Sequence, residues 1–185
     1  MFILEIINKI KFWHNADRIG PDILLTYWRI FFKSKMLKLC KQKFLFFDES
    51  SEIRPGAYIV GCSQISIGKR IIIRPGTMLH GESNSLDTTI IIEDDVLIGC
   101  GVHIYVENHE FKNPFVVISE QGHSPAKQVL IKEGCWIGAN VIILPGVTIG
   151  KNSVIGAGSI VTKSIEDNVV AAGNPARVIK KINIF

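Results

Sequence analysis

Residues 131–165 read IKEGCWIGANVIILPGVTIGKNSVIGAGSIVTKSI. Taken in sixes, Ile131, Ile137, Ile143, Ile149, Ile155 and Val161 are all aliphatic. Four residues after each comes a small or β-branched partner: Cys135, Val141, Val147, Ser153, Ser159 and Ile165. A period of six is neither the helical 3.6 nor the alternation of a half-buried strand. It is the signature of a parallel β-helix, in which short strands joined by tight turns stack coil on coil. The residue at i points inward and fills the coil. The residue at i+4 also points inward, near a corner, and must be compact. Between them the chain turns, where Gly or Asn takes a positive φ at little steric cost. Gly138, Gly150 and Gly156 directly follow three of the inward Ile residues.

The register extends towards the N-terminus. Ile92/Val96, Ile98/Val102 and Ile104 carry it, as do Ile53/Ala57 and Ile59/Ser63. It slips by two and resumes at Ile67/Ile71, Ile73/Thr77 and Leu79. Arg54-Pro55-Gly56, Arg74-Pro75-Gly76 and Leu144-Pro145-Gly146 repeat one turn, and Pro then Gly suits a type II turn. Two stretches break the register. Residues 80–88 (HGESNSLDT) form a polar loop. Residues 107–127 (ENHEFKNPFVVISEQGHSPAK) form a loop long enough to suggest function. The tail leaves the pattern after Gly173-Asn174-Pro175.

Residues 1–48 differ from the rest. Ten of the 16 aromatics lie there, and the hexad pattern does not. Ile3, Ile6/Ile7, Ile10 and Trp13 have helical spacing, Gly20-Pro21 is a break, and Leu24, Tyr27/Trp28 and Phe31 start a second helix. Residues 23–47 hold Arg29, Lys33, Lys35, Lys38, Lys41 and Lys43 and no acid. This segment reads two ways, as a cap on the end of the β-helix or as a basic, aromatic membrane-surface contact. Residues 49–185 form the β-helix domain. The expected fold is all-β, with a helical N-terminal segment and a protruding loop.

Composition narrows the function. A net charge of +4 over 185 residues is too mild to argue for nucleic acid. Cys40, Cys62, Cys100 and Cys135 have no metal-ligand spacing. The last three read as small buried fillers in a reducing compartment. Met1–Trp13 is apolar, but Glu5 interrupts it and no basic stretch precedes it. No uncharged run reaches the ~18–20 residues of a membrane span. The expected location is the cytoplasm, or the inner face of the membrane if residues 1–47 meet lipid.

The run WIGANVIILPGVTIGKNSVIGAGSIVTKSIEDNVVAAGNPARVI, 136–179, resembles the left-handed β-helix acetyltransferases, notably the galactoside and maltose O-acetyltransferases and those of capsule and lipopolysaccharide assembly. Left-handedness runs against the usual crossover rule and rests on this resemblance alone. The resemblance implies a homotrimer with active sites between subunits and acetyl-CoA along the β-helix. It places His109 as the general base, taking a proton from the acceptor hydroxyl as that oxygen attacks the thioester. No metal is required. It places Ala139 where a backbone N–H faces the thioester, and Trp136 as an apolar wall for pantetheine. Ala157 and Thr162 match positions along pantetheine and adenine, and Lys163, Arg177 and Lys180 match positions near the CoA phosphates. His80, Arg74 and Asp87 fall near acceptor positions, where Arg74 replaces an Asn and the 80–88 loop loosens the match. Residues 1–47 do not resemble the galactoside group, so a glycan intermediate or nucleotide sugar of polysaccharide, capsule or O-antigen assembly is the expected acceptor.

Other readings stay open. An N-acetyltransferase of an amino sugar or antibiotic needs the same base and donor. A non-catalytic β-helix binding module needs neither. A zinc carbonic anhydrase on such a coil needs three His, and His103 and His109 lack its spacing.

Overall fold

The computed structural model describes residues 2–82 and 87–182. The expected loop at 80–88 therefore lies partly outside the described residues. The first of three main sheets orders Arg18–Ile19, Tyr58–Val60, Met78–His80, His103–Tyr105, Ile142–Ile143 and Ile160–Val161. The second contains Phe46–Phe47, Ile65–Ile67, Ile90–Ile92, Val129–Ile131 and Thr148–Ile149. The third contains Leu97–Ile98, Trp136–Ile137, Val154–Ile155, Val169–Gly173 and Ala176–Lys181. Within the array pairing is parallel, with Ile131 opposite Ile149, Ile137 opposite Ile155 and Ile143 opposite Val161. Each pair is three hexads apart, so one coil takes one strand from each sheet.

The inward column Ile59, Leu79, Ile104, Ile143 and Val161 is fully buried. Each such side chain contributes about 1.5–3 kcal/mol of transfer free energy. Two polar i+4 residues are satisfied at the corners, whereas the Thr77 hydroxyl is buried without a partner among the described residues. Ser153 donates to the Glu166 carbonyl at 2.7 Å and Ser159 to the Gly156 carbonyl at 2.6 Å.

Glycine serves two purposes. Gly146 takes φ 80° in its Pro-Gly turn, as expected. Gly138 does not take a positive φ. It is needed because the next coil passes too close for a side chain, and a Cβ there would lie 2.5 Å from the Ala157 nitrogen. The expected turn role of the Gly residues after Ile137, Ile149 and Ile155 is thereby corrected. The positive φ values of the array fall at Gly134, Asn140, Gly146, Asn152 and Gly158.

Three further expectations change. Ser63 is not an inward residue: a 3-10 turn, Cys62–Gln64, absorbs the register slip and buries Cys62 instead. Cys100 is exposed at a turn, whereas Cys40 in the N-terminal segment is buried. The N-terminal segment also divides. Helices α1 (Phe2–Asn15), α2 (Leu24–Tyr27) and α3 (Lys33–Lys43) precede the first coil. Helix α3 caps the core with Met36, Leu39 and Cys40, but α1 contributes no buried residue. Between them Arg18–Ile19 pairs antiparallel with Tyr58–Val60, and Phe46–Phe47 already belongs to the second sheet. Among the described residues no helix is long and apolar enough to cross a membrane.

Candidate active site

Register builds one wall of the site. Val60, His80 and Tyr105 are paired neighbours in successive coils of the first sheet, and all three side chains point outward. The His80 ring lies 5.2 Å from Tyr105, whose hydroxyl is 3.3 Å from His103 Nδ1. His103 faces out, as its place between inward residues predicts. The long loop leaves after Val106 and returns at Lys127, whose amide donates to the Val106 carbonyl at 2.7 Å. Its base is a short antiparallel pairing. Glu110 N donates to the Gly122 carbonyl at 3.0 Å, and Ser124 N to the Asn108 carbonyl at 2.8 Å. That pairing sets His109 opposite His123, with ring centroids 4.2 Å apart. Gln121 ties the outer loop to the Asn113 and Val116 carbonyls.

Wall and loop enclose a cavity of about 600 Å³ lined by Val60, His80, Tyr105, Glu107, His109 and His123, among others. Burial lowers the His80 pKa, and the His103 charge lowers it further, so this imidazole is held neutral. Its Nε2 is buried without a partner among the described residues. Burial raises the Glu107 pKa, as do the charge of Glu82 and a hydrogen bond to it, while His123 and His109 oppose the rise. The cavity thus joins an exposed imidazole pair to a carboxyl group whose pKa is raised by burial. Among the described residues no cluster of His, Cys, Asp or Glu is placed to hold a metal.

The residues matched to the acyl donor lie elsewhere. Leu97, Trp136, Val154, Val170 and Lys180 form an outward row across the third sheet. Trp136 is 54% exposed and Leu97 61%. Ala139 and Ala157 occupy stacked turns beside that row, joined by the Gly158 N–H to the Ala139 carbonyl at 2.8 Å. Thr162 and Lys163 follow the last strand of the first sheet, and Arg177 and Lys180 sit on the final strand. All four are exposed, and none of the three cations pairs with an acid among the described residues. None of these donor residues lines the His109 cavity.

Residues 128–163 match the bacterial transferase hexapeptide (six repeats) family. The chain is 40% identical over 149 residues to a galactoside O-acetyltransferase of Escherichia coli K12, covering 80% of this chain and 70% of that protein. A solved galactoside acetyltransferase in complex with coenzyme A superposes with a TM-score of 0.70 at 34% identity, over 97% of this chain and 80% of the other. A maltose O-acetyltransferase from Clostridium difficile 630 gives 0.68 at 32% identity, over 82% and 76%. The chain belongs to the hexapeptide-repeat acetyltransferases.

Its coil is accordingly the left-handed parallel β-helix of that family. Within this acetyltransferase, the structure brings His80 to the His109 cavity but not Arg74 or Asp87. Arg74 Nε donates to the Ile98 carbonyl at 3.0 Å, away from the cavity. Asp87 lines a separate hollow with Thr88, Thr89 and Gln128. Sequence reasoning missed Tyr105, Glu82 and Glu107. Tyr105 was accessible in principle, because it flanks the inward Ile104. The carboxyl pair was not, because it depends on how two loops meet.

Proposed function

We propose that this acetyltransferase moves the acetyl group of acetyl-CoA to a hydroxyl of a sugar or glycan, with His109 as general base. The observation that carries the reading is the His109 cavity, in which an exposed imidazole stands over a half-polar wall large enough for a sugar ring. A neutral His109 nitrogen accepts the hydroxyl proton as that oxygen bonds to the thioester carbon. The tetrahedral oxyanion accepts a hydrogen bond from the Ala139 N–H, which donates to no protein group among the described residues. Collapse breaks the C–S bond, and the imidazolium returns its proton to the CoA thiolate. Lys163, Arg177 and Lys180 hold the CoA phosphates.

In one chain the base and the donor row stand apart. A homotrimer supplies the missing neighbour by setting the donor row of one subunit against the cavity of the next. The acceptor is read as one of polysaccharide, capsule or O-antigen assembly from the aromatic, basic sequence of residues 1–47 alone, although the galactoside acetyltransferase superposes over 97% of this chain, most of that segment included. N-acetylation is the second reading, since Glu82 and Glu107 in the cavity would attract an amino group.

The test is thiol release from acetyl-CoA across free sugars, nucleotide sugars, amino sugars and lipid-linked glycans, by protein whose mass is measured by light scattering. The expected product is an alkali-labile ester made by a trimer. An alkali-stable product selects the amide, and release from no acceptor, or a monomer mass, overturns the proposal.

A further inference from the structure

We infer that helices α1 and α2 and the turn after them form a docking surface for an anionic lipid bilayer. Helix α1 sets Phe2, Ile3, Ile6, Ile7, Ile10 and Trp13 along one arc at helical spacing. Phe2 and Ile3 are 73% and 72% exposed, Ile6, Ile7 and Ile10 are 42%, 43% and 46% exposed, and Trp13 is partly buried. Helix α1 packs against α2, where Leu24 and Leu25 are also exposed, as are Trp28, Phe31 and Phe32 in and just after the 3-10 turn Trp28–Phe31 that follows. So large an apolar patch marks an interaction site on a soluble protein.

Charge selects the occupant. Residues 1–47 hold nine Lys and Arg against three acids, while residues 48–185 hold twelve against fourteen. The positive charge of the chain is therefore concentrated in this segment. Two of its acids are already engaged. Asp17 accepts from the Ser63 amide and hydroxyl, and Asp22 pairs with Arg18. Lys9, Lys11, Arg29, Lys33, Lys35 and Lys38 form no ion pair among the described residues.

Solvated cations alone would mean little. Cations interleaved with exposed Trp, Phe and Ile match a bilayer interface, where aromatic rings sit at headgroup level and lysines meet anionic lipid. A cleft of about 570 Å³ opens beside the same patch, lined by Trp13, His14, Leu25, Arg29 and Lys43, among others. The Trp13 indole N–H is buried there without a partner among the described residues. With the Arg29 guanidinium it supplies the donors a lipid phosphate requires.

The test uses the full-length protein and co-sedimentation with vesicles of phosphatidylglycerol and phosphatidylcholine, against phosphatidylcholine alone. Binding is expected to the anionic vesicles only, and to be released by salt. Each cation at an anionic surface is worth about fivefold in partitioning, so Lys33→Gln/Lys35→Gln/Lys38→Gln should weaken binding about 100-fold. Trp28→Ser/Phe31→Ser/Phe32→Ser should weaken it too, with its circular dichroism unchanged. Equal binding to both vesicle types, binding that neither variant reduces, or no binding at low salt overturns the proposal. If the aromatic variant instead lowers the particle mass while vesicles are ignored, the patch is an interface between copies and the proposal fails.

Discussion

Gly138→Ala would place a Cβ 2.5 Å from the Ala157 nitrogen and 2.8 Å from both Ala157 Cα and the Ile155 carbonyl oxygen. All three atoms are backbone, so no rotamer change relieves the contact. Non-bonded carbon contacts are comfortable near about 3.5 Å, so the two coils must part locally by about 1 Å. The coils are joined there by Gly138 N to the Ile155 carbonyl and Gly158 N to the Ala139 carbonyl, each 2.8 Å. Lengthening both by that amount takes them past the useful limit of about 3.2 Å. Two lost bonds at about 1 kcal/mol each, added to an overpacking cost of about 1–3 kcal/mol, give about 3–5 kcal/mol. For a chain of this size that lowers Tm by about 10 °C. Gly146→Ala is the control. Its new Cβ meets only the Lys127 side chain at 3.4 Å, and the strain lies in its φ of 80°. That strain costs about 1–2 kcal/mol. Thermal melts followed by circular dichroism separate the two. Because Ala139 and Ala157 flank the disturbed contact, KM for acetyl-CoA should rise in Gly138→Ala and not in Gly146→Ala. A Gly138→Ala protein melting within about 2 °C of the parent, or above Gly146→Ala, refutes the close-stacking account.

His109→Ala should lower kcat by about 10²–10⁴, while His123→Ala should lower it about tenfold or less, the value of a stacked ring pair. A His109→Ala enzyme retaining half the parental kcat excludes it as the base. Charge reversal at Lys163, Arg177 and Lys180 together should raise KM for acetyl-CoA more than it lowers kcat, with an effect that shrinks in salt; an unchanged KM in steady-state kinetics means that these cations are only solvated. Glu107→Gln probes the raised carboxyl. The folded protein holds that proton more tightly than the unfolded chain, so the parent loses stability as pH rises from the ordinary carboxylate range through the raised value. Melts should therefore favour the Gln variant near neutrality, with the gap closing below about pH 4, and a gap of opposite sign counts against a raised Glu107 pKa.

The core was legible in the sequence because backbone geometry imposes its period. Ile131 to Val161 must recur every six residues or a coil loses its filling, and the described core residues obey that rule. Where the rule fails, a local turn is responsible, as where the 3-10 turn at Cys62–Gln64 displaces Ser63 from the interior. The site obeys no such period. Val60, His80 and Tyr105 become neighbours only because coils of unequal length bring them into register. His123 reaches His109 only because the loop folds back across its own base. Outward side chains are free of the packing that constrains inward ones, and so they can carry chemistry without leaving a repeat. For the same reason His109 is singled out by a family likeness and not by the hexad spacing. The exposure of α1 was hidden in another way. Its apolar arc at Ile3, Ile6, Ile7 and Ile10 fits a buried helix and a surface-seeking helix equally well, and only the position of α3 over the core settles which helix caps the coil.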